Sequence, residues 1–161
     1  MPEGSLRPVG RSGGPQPSNE LNLLFIPTLS RRVIRLVGLA YGGVIFLWLR
    51  IEDDAIWPAA AFGAAGAVIA ALAWASRTFG SQSLPGHYVA AGLTLLGVLC
   101  GLATAAIAAL LMLLKNGLHA HLFPDFPFGV IVAVLRLSPV WALAGGLAGF
   151  GFALAWLALR R

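Results

Sequence analysis

The sequence predicts an all-α integral membrane protein with four transmembrane helices and a short interfacial helix before the fourth. Three observations carry that prediction. The 161 residues are 58% hydrophobic and 11% charged, with a mean hydropathy of +0.84, whereas soluble domains carry about a quarter charged residues. Uncharged stretches of roughly 20 residues, the length that crosses a bilayer, recur along the chain. The basic residues collect at the ends of those stretches, which makes the net charge of +5 and pI of 10.7 a matter of membrane orientation. Basic patches with interleaved aromatics are missing elsewhere, so no nucleic-acid partner is expected.

Residues 1–19, MPEGSLRPVGRSGGPQPSN, combine Pro, Gly and Ser with almost no large apolar residue. Such a segment buries too little surface to fold alone and is read as a disordered cytoplasmic tail. It lacks the early apolar core and small-residue cleavage site of a secretory signal. Residues 20–30, ELNLLFIPTLS, are apolar but too short to span, and are expected to lie at the interface or against the bundle.

The four-helix membrane domain occupies residues 31–161. Its first span, 31–49, has Ser30 as N-cap, Arg35 one turn in and able to reach the headgroups, and Trp48 near the far end as an interfacial anchor. The second, 55–76, follows the acidic step Glu52, Asp53, Asp54, has Pro58 in its first turn where a missing N–H costs little, and closes at Arg77. The third, 88–114, runs 27 residues without a charge. It would extend about 40 Å against about 30 Å of hydrocarbon, so it tilts or protrudes. Lys115 ends it, with Asn116 and Gly117 as the expected C-cap.

The last apolar run is divided at LSPVW. Ser138 is read as N-cap and Pro139 as the first helical residue of a span at 139–159. The preceding 126–137, FPFGVIVAVLRL, becomes a short interfacial helix, preferred to a re-entrant one. Asp125 before it and Arg136 near its end suit its dipole.

With the N-terminus inside, Arg7, Arg11, Arg31, Arg32, Arg35, Arg77, Arg160 and Arg161 face the cytoplasm, against Arg50, Lys115 and Arg136 outside. Both termini are therefore expected to be cytoplasmic, in a bacterial cytoplasmic or thylakoid-type membrane.

Small-xxx-small pairs let helices approach where lipid removes the hydrophobic drive. Gly97 with Gly101, Gly145 with Gly149, and the series Gly63, Ala67, Ala71 are the candidates for helix packing.

The one compact polar cluster outside the tail is KNGLHAHLFPDFPFG, residues 115–129. His119, His121 and Asp125 could ligate a metal, since alternate residues of an extended segment share a side. A catalytic zinc takes three protein ligands, and these three converge only if the turn at Pro124 folds Asp125 back. The neighbouring Leu and Phe residues favour an interfacial structural loop over a metal site. His87 lies across the membrane from the pair and cannot complete it.

Cys100 alone excludes an intramolecular disulfide and a CxxC pair. The spans carry almost no ionisable residue, which disfavours a proton-coupled transporter, and no nucleophile, phosphate-loop or HExxH motif occurs. The expectation is a non-catalytic membrane subunit or assembly or scaffold factor of a larger membrane complex, with bioenergetic complexes among the candidates. It would contact lipids and other membrane subunits or a second copy, with no cofactor expected. The alternatives are a metal- or cofactor-binding membrane protein using the 119–125 loop and, ranked last, a small-solute channel or transporter.

Overall fold

The computed structural model describes residues 23–25, 30–51, 55–78, 83–118 and 124–159. Four of its helices are long and apolar enough to cross a membrane: α1 (Arg31–Leu49), α2 (Ile56–Thr78), α3 (Gly86–Leu118) and α5 (Ser138–Leu159). A nine-residue helix, α4 (Phe128–Arg136), precedes the last of them. The other regular element is a three-residue ladder, β1 (Leu23–Phe25) antiparallel to β2 (Ser83–Pro85), with Leu24 opposite Leu84 just before α3 begins. The expected tail at 1–19, most of the 20–30 segment and the acidic step at 52–54 lie outside the described residues.

Helix boundaries follow local chemistry. The Ser30 side chain accepts a hydrogen bond from the Arg32 N–H at 3.3 Å and opens α1. Pro58 falls in the first turn of α2, where its missing N–H breaks no helical bond. α3 is the longest element at 33 residues, about 50 Å at the rise of an α-helix. It passes through Asn116 and Gly117 instead of ending at Lys115: Gly117 does not take the left-handed conformation of a C-cap glycine, and the Asn116 side chain bonds to another segment.

Between α4 and α5 only Leu137 intervenes. Its N–H donates to the carbonyls of Ala133 and Val134, both at 3.2 Å, and its own carbonyl accepts from Trp141 N–H at 3.1 Å. Pro139 has no N–H to offer the Leu135 carbonyl, and the Ser138 hydroxyl donates to that oxygen instead at 2.5 Å. Ser138 thus opens α5 by repairing the gap that Pro139 leaves, a different task from capping.

α3 is the hub, with α5 and α2 packed along it and α1 resting on α2. The α3 and α5 backbones meet at glycine. A Cβ at Gly97 would fall on the Gly145 carbonyl oxygen, one at Gly101 on the Trp141 carbonyl, and one at Gly149 on the Leu93 carbonyl. Each four-residue step up α3 is matched by one down α5, so the helices run antiparallel with their i±4 rows in register. Gly63 of α2 repeats this against α3, where a Cβ would lie 2.5 Å from the Thr104 carbonyl oxygen.

Candidate functional site

The most buried part of the molecule lies at one end, where α1 finishes, α2 begins, α3 finishes and α4 begins. Trp48, Leu49, Ala59, Met112, Phe126, Ile131 and Val134 form one apolar cluster there. Lys115 sits inside it at 0% exposure. α3 carries the residue inward because it belongs to the helical face that also presents Met112 and Leu111 to the core. Its ammonium lies 4.8 Å from the centroid of the Trp48 ring and 5.6 Å from that of Phe126. Both distances are within the range at which a ring face attracts a cation. Trp48 also meets Phe62 at 5.4 Å between centroids, and its buried Nε1 has no hydrogen-bond partner among the described residues.

Next to Lys115, Asn116 fixes the segment that leads into α4. Its amide nitrogen donates to the Phe126 carbonyl at 2.7 Å and its amide oxygen accepts the Phe126 N–H at 2.9 Å. One side chain thereby satisfies both backbone groups of a buried residue. This also explains why α4 starts at Phe128 and not at 126: Phe126 is held by Asn116, and Pro127 takes the cap position.

Of the three candidate metal ligands, His119 and His121 lie outside the described residues, and Asp125 is half-buried beside Phe126. Among the described residues no three His, Cys, Asp or Glu side chains gather in a way that could hold a metal ion. The polar groups midway through the spans are spent within the helices. Thr94 and Thr104 donate to the carbonyls four residues before them, Ala90 at 2.9 Å and Cys100 at 2.8 Å. The Cys100 thiol points to the Ala67 carbonyl of α2 at 3.8 Å.

The four candidate packing glycines are brought together on one seam, Gly97 and Gly101 of α3 facing Gly145 and Gly149 of α5. Sequence reasoning missed the pairing of Lys115 with Trp48, reading one as a span terminator and the other as an interfacial anchor. A signal for it existed, since both fall near the C-terminal ends of the first and third spans, which run parallel and finish on the same side.

α1 contrasts with the rest. Only Trp48 and Leu49, at its last turn, are buried. One further tie is the Tyr41 hydroxyl, which donates to the Phe62 carbonyl at 2.7 Å and rests against Gly66, where a Cβ would collide with it. On α1 itself, Gly38, Gly42 and Gly43 have none of the described residues within 4 Å of where a Cβ would stand.

Fold and site together define an all-helical, multi-pass bundle with a tightly packed three-helix centre and a lightly attached first helix. No known protein family, characterised protein or solved structure matches the chain.

Proposed function

We propose that the protein is a non-catalytic integral membrane subunit or scaffold factor, and that α1 is the helix through which it joins a larger membrane assembly. The observation that carries this reading is the pair Gly38 and Gly42, one turn apart on one face of α1 and open among the described residues, with Gly43 open beside it. Apolar side chains on α1 need no protein cover, because lipid tails are as apolar as they are. A glycine face differs, since its use is to let another backbone approach closely. The excess of arginines on one side of the spans supports an orientation with both termini in the cytoplasm, and the host membrane we favour is a bacterial cytoplasmic or thylakoid-type one.

The test is gentle-detergent purification of the full chain at native level, with mass spectrometry of what co-elutes. A stoichiometric membrane partner is expected with the natural sequence and with Gly151→Leu, which adds bulk at an open position of α5. The Gly38→Leu/Gly42→Leu variant should lose it. A lone monomer, or a partner held equally by both variants, would overturn the proposal.

A further inference from the structure

At the end of the bundle opposite Lys115, α1 starts and α2 finishes side by side. Their antiparallel arrangement brings Arg31 and Arg35, one turn apart on α1, to the same hollow as Arg77 in the last turn of α2. The hollow is half open, with a volume of about 350 Å³, at the lower end of the range of roughly 300–1,000 Å³ for ligand pockets. All three arginines are exposed, and no hydrogen bond or ion pair engages their side chains among the described residues. The only acidic side chain among those residues, Asp125, is at the other end of α3. Three arginines from two helices thus line one hollow, and among the described residues no carboxylate stands beside them.

We infer that this hollow is a binding site for a phosphate-bearing anion, held between α1 and α2 by Arg31, Arg35 and Arg77. Guanidinium groups present planar forks that match phosphate oxygens two at a time, which a lysine cannot do. The start of α1 adds its positive dipole end to the site, while the end of α2 contributes the opposite sign at Arg77, so the side-chain charges dominate. The position, at the ends of two helices of membrane-spanning length, suits the headgroup of an anionic phospholipid. Free phosphate has the same recognition chemistry.

The neighbouring Arg32 supplies an internal control. It is exposed at the same end and carries the same charge, but does not line the hollow. Diffuse attraction between a basic helix end and an anionic membrane would weaken equally with the loss of any of the four. A built site would not.

The experiment is native mass spectrometry of the delipidated full chain, titrated separately with phosphatidylglycerol, phosphatidylcholine and inorganic phosphate. One phosphatidylglycerol per chain is expected to bind, in clear preference to phosphatidylcholine. Arg35→Gln and Arg77→Gln should each weaken it about tenfold, the weight of one charge-assisted contact. Arg77→Lys, which keeps the charge and loses the fork, should weaken it measurably, and Arg32→Gln should leave it unchanged. Inorganic phosphate displacing the lipid, with the same variant dependence, would identify a soluble phosphate as the occupant of the same site. Equal losses from Arg32→Gln and Arg77→Gln, or no bound anion from either source, would overturn the inference.

Discussion

Replacing Gly145 with alanine tests the packing of α3 on α5 where two glycines face each other. The new Cβ would fall on the Gly97 carbonyl oxygen, 3.0 Å from the carbonyl carbon of Gly97 and 3.2 Å from the Gly101 nitrogen. These are backbone atoms, so no rotamer change relieves the clash and the helices must separate. Overpacking of this kind costs about 1–3 kcal/mol. Alanine recovers about 0.8–1.0 kcal/mol of helix propensity, which leaves a net destabilisation of about 0–2 kcal/mol. Gly151, on the same helix, has none of the described residues within 4 Å of its Cβ position. Gly151→Ala should therefore stabilise by up to about 1 kcal/mol. The difference between the two variants isolates the clash and corresponds to roughly 5- to 150-fold in the unfolding equilibrium. Unfolding in mixed micelles with rising dodecyl sulfate measures it. Identical midpoints for Gly145→Ala and Gly151→Ala would refute close backbone contact at this seam. The Gly97→Ala/Gly145→Ala pair should cost less than the two singles together, because one separation of the helices relieves both clashes.

Two further outcomes concern the buried end of the bundle. Lys115→Ala empties a site that is 0% exposed and should destabilise the chain by about 2–5 kcal/mol in the same titration, as other large-to-small core changes do; an unchanged midpoint would place the side chain outside the core. Asn116→Ala leaves the N–H and carbonyl of Phe126 without their partners, at about 1–3 kcal/mol for each buried group. Amide exchange at Phe126 should accelerate accordingly, while Asn116→Asp, which retains the acceptor for that N–H, should protect it better than alanine does.

The four spans were legible because nothing else produces such long uncharged runs, and their ends were legible wherever a charge, a proline or a capping serine marks them. Ser30 could be read as a cap because its partner is two residues away. Ser138 could not be read correctly, because its task depends on Pro139 withdrawing a donor from Leu135, which is specified only once α4 and α5 are known to be nearly continuous. Lys115 misled for a related reason. A lone cation after an apolar run ordinarily faces water, and whether it turns inward is decided by Trp48 and Phe126, which lie far from it in sequence. The pairing of Leu23–Phe25 with Ser83–Pro85 is likewise non-local and leaves no periodic trace in three residues. The glycine seam was legible as spacing alone. The sequence cannot say which glycine faces which, since the i±4 pattern is the same on every helix that carries it.

That ambiguity bears directly on α1. A glycine in a helix interior costs about 1 kcal/mol relative to alanine, and on α3 and α5 the cost is offset by the backbone approach it permits. Gly38, Gly42 and Gly43 carry the same cost, about 3 kcal/mol together, and none of the described residues approaches them. The helix that bears them is also the one with the fewest ties to the bundle, held at its last turn by Trp48 and Leu49 and midway by the Tyr41 hydroxyl. A helix whose own glycines weaken it, and whose contacts to the rest of the chain are concentrated toward one end, gains most from a neighbour on its open face. The attachment near Lys115 would then act as a fixed pivot. The arginine-lined end of α1, where no side chain is buried, is left as the part whose position an anion or an adjoining helix can set.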